Sequence, residues 1–269
     1  MASWKHAVRI SVEGDGHVQE DTCGYAGPTA WVIDGASSLL APINLPGPSD
    51  PAWYARQLDL LLTEAAGSGS VSGSGTAPAR EVLAGALTRM DTLAQGLVGE
   101  ERTRFPSAAL CLAQLHNDGV ELLALADCHA VVELMDGSVV HVTHEPADIR
   151  LMHADDPEQE RELRIQDREL RNTPGRLWVA RREPEAAYRA RGVRLGQPRR
   201  VVLASDGAWR AVELGLVPGP EAFLQAARRP VTAQEMLLAL RVRQAEIGES
   251  ADDATLMTLE TVGHGPEAE

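Results

Sequence analysis

Apolar runs in this chain repeatedly stop at an acid. Trp31-Val32-Ile33 stops at Asp34, Leu123-Ala124-Leu125-Ala126 at Asp127, and Val201-Val202-Leu203-Ala204-Ser205 at Asp206. Asp252 and Asp253 come just before Thr255-Leu256-Met257-Thr258-Leu259, and Glu20-Asp21 lies between the first two predicted strands. Short apolar runs of this kind read as buried strands. Strands of one sheet or sandwich share a rim, so their terminal residues can meet. Carboxylates gathered at a rim repel one another and are pushed up in pKa unless cations neutralise them. Oxygen-only donors without a His or Cys cluster suit Mg²⁺ or Mn²⁺ better than zinc. The competing explanation is local, because Asp-Gly is a common turn pair. Asp136-Gly137, between the predicted strands Ala130–Met135 and Ser138–Thr143, is assigned to a hairpin turn. Recurrence at the ends of buried strands is harder to explain by turns alone.

Other segments fill in the architecture. Val8, Ile10 and Val12 alternate with Arg9, Ser11 and Glu13, the period of a half-buried strand. Ser49-Asp50-Pro51 predicts a helix start, with a capping residue before a first-turn proline. A second helix is expected over about 79–97, after a Gly/Ser-rich stretch at 66–78 read as a flexible surface loop. Residues 145–192 are rich in Arg, Glu and Asp, with helical spacing near 157–171 and 183–191. They read as a solvated insertion. Thr232 and Glu235 predict a capping box, and 263–269 a disordered tail. Strands cluster and helices come in pairs, so an α+β fold is expected, with residues 1–262 as one domain.

The bulk properties narrow the function classes. A net charge of −14 argues against non-specific nucleic-acid binding and against docking on anionic membranes. Three cysteines, with no C-x-x-C, indicate neither a disulfide framework nor a zinc ribbon. With no signal-peptide pattern and no apolar run near membrane-spanning length, the expected location is the cytoplasm. No P-loop, G-x-S-x-G, G-x-G-x-x-G or H-E-x-x-H is present, so no other nucleophilic or phosphate-cradling apparatus competes with the acids.

In order and context these segments resemble the metal-dependent protein Ser/Thr phosphatases, the PPM or type 2C-like group, as a divergent bacterial-type member. The matching stretches are Gln19-Glu20-Asp21, Val32-Ile33-Asp34-Gly35, Ala126-Asp127-Cys128-His129, Leu203-Ala204-Ser205-Asp206-Gly207 and Asp252-Asp253-Ala254-Thr255. The resemblance runs from about residue 8 to 262. It implies a four-layer α-β-β-α sandwich of two antiparallel sheets flanked by helices, with two Mg²⁺ or Mn²⁺ ions, and a possible third, at one end. It implies that Asp34 bridges both ions, that Gly35 offers its carbonyl, and that Asp206 and Asp252 complete the second site. Glu20 and Asp21 would act through metal-bound water, and Asp127 would lie near the optional third ion. The insertion at 145–192 takes the place of the family's flap, which helps decide substrate access. The implied reaction is hydrolysis of phosphoserine or phosphothreonine in a protein substrate by a metal-bridging hydroxide, and a monomer is expected.

The chain departs from this pattern in four places. Many members carry an arginine that grips substrate phosphate where this chain has Gly16, so His17 and Arg9 become candidate substrate-binding residues. Ala36 stands where some members have a histidine. The segment Ala126-Asp127-Cys128-His129 replaces a Gly-Asp-Ser-Arg-like one, and its Cys128 and His129, adjacent on a strand, point to opposite faces. Asp253 replaces the usual asparagine. These departures keep two alternatives open. One is a pseudo-phosphatase acting as a regulatory binding module. The other is a phosphatase of phosphorylated small molecules.

Overall fold

In the computed structural model, which describes residues 3–15, 18–68, 77–144 and 156–262, two five-stranded antiparallel sheets face each other. The first has the order β1 (Trp4–Val12), β10 (Ala254–Thr261), β9 (Pro198–Ala204), β6 (His129–Leu134), β7 (Val139–Thr143). The second has the order β2 (Thr22–Ala26), β3 (Thr29–Gly35), β4 (Ala108–His116), β5 (Gly119–Leu125), β8 (Arg191–Leu195). Helices α1 (Asp50–Ser68), α2 (Ala79–Val98) and α4 (Ala186–Arg189) cover the second sheet. Helices α5 (Asp206–Glu213), α6 (Pro220–Ala226) and α7 (Pro230–Ile247) cover the first. Helix α3 (Pro157–Leu170) belongs to the predicted insertion. This is the expected α-β-β-α sandwich.

Three apolar layers hold it together. Between the sheets, Val32, Cys111, Leu122, Val132, Leu203 and Met257 interdigitate. Trp31, Ile33 and Leu112, one residue out of phase on the same strands, pack instead against Tyr54, Leu58, Leu83 and Leu87 of α1 and α2. Val202 and Leu256 pack against Trp209, Phe223 and Leu240 of α5–α7. Both faces of the central strands are therefore buried, which is why those strands read as continuous apolar runs rather than as alternations. Each fully buried Leu or Val contributes roughly 1.5–3 kcal/mol.

Local expectations fare unevenly. Ser49 does start α1, its Oγ accepting from the Ala52 N–H at 3.1 Å. Helix α1 runs on through Ser68, so the first residues of the predicted 66–78 loop are helical; 69–76 and the 263–269 tail lie outside the described residues. The capping box at Thr232 is not formed. Helix α7 begins two residues earlier because Pro230 takes its first turn, and the Thr232 hydroxyl donates to the carbonyls of Ala226 and Arg229. Residues 191–195, placed partly in the insertion, are strand β8. The β6–β7 hairpin turns at Asp136-Gly137 as expected. Gly137 has φ +88°, and Asp136 Oδ1 accepts from the Ser138 N–H at 2.9 Å. All three cysteines are buried and unpaired.

Candidate metal and phosphate site

Antiparallel pairing brings the acidic strand ends to one rim. Asp34, the last residue but one of β3, pairs with Ala109 near the start of β4. Asp127 follows β5 in the turn to β6. That turn holds Ala126 at φ +56°, a left-handed conformation unusual for a residue with a Cβ. Asp206 opens α5 directly after β9, where the helix dipole favours an acid. Asp252 lies in the loop before β10, whose backbone is tied down by Arg241, with Nη2 donating to the carbonyls of Asp252 (2.6 Å) and Val12 (3.0 Å).

Asp34, Gly35, Asp127, Asp206 and Asp252 line one cleft of about 380 Å³. The small side chains of Ala108 and Ala109 leave room for it, and its far wall is formed by Arg164, Arg168 and Arg171 of the insertion. A second cleft of about 240 Å³, on the α5–α7 side, shares Asp127, Asp206 and Asp252 and adds His129 and Arg210.

The acids cost one another. Asp34 opens on the cleft but is otherwise surrounded by protein. That enclosure, then the charges of Asp21, Asp206 and Asp127, hold its carboxyl well above the usual range, and it shares a hydrogen bond with Asp206. Burial, then Asp127, raises Asp206 to about 6. Burial also raises Asp127. Asp21 is enclosed behind them. Burial raises it to about 8 against hydrogen bonds from Ser205 and Thr255, and its Oδ2 has no partner among the described residues. Glu20 is buried but lines neither cleft; its carboxylate accepts from Ser49 Oγ at 2.6 Å and from Ser37 Oγ at 3.1 Å.

Two glycines show why these strand ends are Asp-Gly. A Cβ on Gly35 would lie 2.5 Å from the Glu20 carbonyl oxygen, and one on Gly207 would lie 1.9 Å from that of Asp253. Neither has positive φ among the described backbone. Here glycine permits segments to pack together rather than the chain to turn.

Asp253 does not face solvent and lines neither cleft. It is 3% exposed, and its two oxygens accept from two main-chain groups, the Gly14 N–H (2.8 Å) and the Glu20 N–H (2.5 Å). The two donors meet different oxygens, and an amide in the same place would turn its NH2 toward one of them. The carboxylate therefore fits a loop that presents two donors, and it anchors the segment leading to Glu20-Asp21.

Other expectations separate. Arg9 is exposed on β1, with Cys23 and Asp59 as its electrostatic neighbours, and lines neither cleft. His17, like Gly16, lies outside the described residues. Cys128 points between the sheets, while His129 stacks on Trp209 under the helices, 4.5 Å between ring centroids, with its Nδ1 2.9 Å from His141 Nε2. Burial pushes the Cys128 thiol up and His129 down to about 3, so the two form no thiolate–imidazole pair. The sequence reasoning missed Arg164, Arg168 and Arg171. Their spacing, continuing from Arg161, marks one helical face and was the available signal.

As the side chains stand, no three His, Cys, Asp or Glu among the described residues converge closely enough to hold an ion. The donor set nonetheless fits one. It consists of carboxylates alone, the charges of Asp21, Asp206 and Asp127 oppose that of Asp34 where a cation would relieve them, and Asp21 keeps an unused buried oxygen.

Comparison with solved structures supports this architecture. The chain is similar to the Mycobacterium tuberculosis serine/threonine phosphatase PstP/Ppp, with TM-score 0.58, 14% identity and coverage of 96% of this chain and 98% of that one. It is similar to the catalytic domain of PstP described in complex with 2 manganese ions, with TM-score 0.57, 14% identity and coverage of 98% and 100%. It is also similar to Stp1 from Staphylococcus aureus, with TM-score 0.58, 12% identity and coverage of 98% and 96%. No protein-family profile and no curated sequence matches it. The fold is therefore that of the PPM-type serine/threonine phosphatases. No helix among the described residues is long and apolar enough to cross a membrane.

Proposed function

We propose that the chain is a metal-dependent phosphatase that hydrolyses phosphoserine and phosphothreonine in proteins. The observation that carries this reading is the meeting of Asp34, Asp127, Asp206 and Asp252, from four separate strand ends, in a single cleft. Asp34, Asp206 and Asp252, with the Gly35 carbonyl, would hold two Mg²⁺ or Mn²⁺ ions, and Asp127 would lie near a third. Asp21 and Glu20 would act from behind them. Bound divalent ions supply a deprotonated water near neutral pH and screen phosphate oxygens. The chain supplies the geometry. The close approach at Gly35 fixes Asp34 against the Glu20 segment, and Asp253 anchors that segment from the other side. Arg9 and His17 remain candidates for contacting substrate. A cytoplasmic monomer is the working expectation for the assays.

The test is hydrolysis of p-nitrophenyl phosphate and of phosphoserine and phosphothreonine peptides with Mn²⁺ or Mg²⁺, and its loss in EDTA. Full activity in Asp34→Asn would sink the mechanism. A second reading, a regulatory module without turnover, is favoured by the Asp34–Asp206 hydrogen bond and by Ala36 in place of a potential proton donor. Under it, divalent ions raise the melting temperature but no phosphorylated substrate turns over. Faster hydrolysis of phosphorylated metabolites than of peptides would move the substrate to small molecules.

A further inference from the structure

We propose that the arginine face of helix α3 is the phosphate-gripping wall of the cleft, with Arg164 and Arg171 meeting the phosphoryl group and Arg168 positioning them. This rests on the phosphatase reading and names the residues that would bind its substrate.

Four arginines, at 161, 164, 168 and 171, recur along one face of α3 and the residue that caps its end. Two of them dock the helix. Arg161 Nη2 donates to the Leu39 carbonyl at 2.9 Å, and Arg168 Nη1 donates to the Ser37 carbonyl at 3.0 Å. Both carbonyls belong to the loop that leaves Asp34-Gly35, so the insertion is fastened to the segment carrying the central aspartate. Arg168 is 4% exposed, and its Nε has no hydrogen-bond partner among the described residues, although the side chain lines the cleft. Burial, then the charges of Arg171 and Arg181, lowers it to about 10, so it stays cationic at neutral pH. A buried guanidinium N–H without an acceptor is costly, so this position is not one that helix docking alone requires.

Among the described residues, the side chains of the other two, Arg164 and Arg171, are held only by acids one turn back. Arg164 pairs with Glu160 at 2.5 Å, and Arg171 Nε donates to Asp167 at 2.9 Å. Such i,i+4 pairs are weak, and a phosphoryl dianion offers a guanidinium two parallel bonds in place of one. Arg210 in the second cleft differs. It is gripped by Glu249 through two nitrogens, at 2.6 and 2.9 Å, and by Glu213 at 2.8 Å. Among the described residues, every cation lining the first cleft comes from α3 or its C-cap. With the aspartates neutralised by divalent ions, the α3 arginines give the cleft a positive wall that suits a phosphomonoester.

The experiment measures p-nitrophenyl phosphate and phosphopeptide kinetics with Mn²⁺ for wild type, Arg171→Ala, Arg164→Ala/Arg171→Ala and the corresponding Lys variants. Arg194→Ala on β8 removes the same charge elsewhere, and melting temperatures check folding. The expected result is a KM raised about tenfold in Arg171→Ala and about a hundredfold in the double variant, with kcat within about threefold. Lysine should restore only part of the loss, since it cannot make the paired contact. An unchanged KM in the double variant of an active enzyme overturns the inference and leaves the phosphatase reading intact. If the wild type shows no turnover, inorganic phosphate with Mg²⁺ is titrated while melting temperature is read. A phosphate-induced rise lost in the double variant upholds the wall without catalysis. No phosphate effect on wild type, or one retained in the double variant, overturns the inference.

Discussion

The Asp-Gly pairs at 34–35, 136–137 and 206–207 look alike as text and do two different jobs. At the far hairpin, Asp136-Gly137 makes a turn. Gly137 has φ +88°, and the exposed Asp136 carboxylate, lowered by its bonds to Ser138, caps the bend. At the rim, Asp34-Gly35 and Asp206-Gly207 make no turn of that kind. Their glycines admit another segment to van der Waals distance, and their aspartates are pushed up by enclosure and by one another. The direction of each shift tells the jobs apart. A solvated capping acid is eased into its charged form by donors, whereas an acid in a shared cleft resists charge until a cation arrives.

The difference can be broken by mutation, beginning with the largest effect. Asp34→Asn should cut phosphatase activity by about a hundredfold or more, because several kcal/mol of charge stabilisation pass through that position. Asp136→Asn should leave turnover unchanged, as steady-state assays with Mn²⁺ would show. Equal losses from both would erase the distinction. Gly207→Ala should destabilise by about 3 kcal/mol through overpacking against the Asp253 carbonyl. Gly137→Ala should cost only about 1 kcal/mol, the penalty of a Cβ at positive φ. Chemical denaturation compares the two.

A third region sharpens the contrast by reversing its sign. Glu183, linked to Arg181 at 2.8 Å and to Asn172 at 2.7 Å, is lowered to about 2 despite burial, because those partners favour its charge. A carboxyl lowered on folding binds fewer protons folded than unfolded. Its stabilisation is therefore complete above about pH 4.5 and is lost as pH falls toward about 2. Glu183→Gln should lower stability near neutral pH by up to about 3 kcal/mol, and the deficit should shrink across that acid window. Unfolding curves at several pH values would show whether the gap closes. The smallest effect is expected at Ala126, which holds φ +56° beside Asp127. Ala126→Gly should raise stability by about 1 kcal/mol, read as a higher melting temperature.

Much of the sandwich was legible because burial on both faces writes itself as unbroken apolar runs. The runs that end at Asp34, Asp127 and Asp206 and the one that follows Asp252, within β3, β5, β9 and β10, are visible for that reason. Strand β8 was not, since its sequence, Arg191-Gly192-Val193-Arg194-Leu195, is an exposed edge with little to bury. Helix α5 was hidden because Asp206-Gly207 looks like a stop, although there it starts a helix. At the site, the acids were legible as strand ends. The role of Asp253 was not, because it depends on two N–H groups, at Gly14 and Glu20, that are far away in sequence.

The sequence by itself determined which residues end the core strands and that those residues are acidic, because burial and charge are properties of composition along a segment. Tertiary structure alone decided which of those acids share a cleft, because antiparallel pairing sets whose ends lie on one rim. It also decided that the arginines of α3 face the same space. Two of them reach across more than a hundred residues to the carbonyls of Ser37 and Leu39, and no local pattern encodes such a contact.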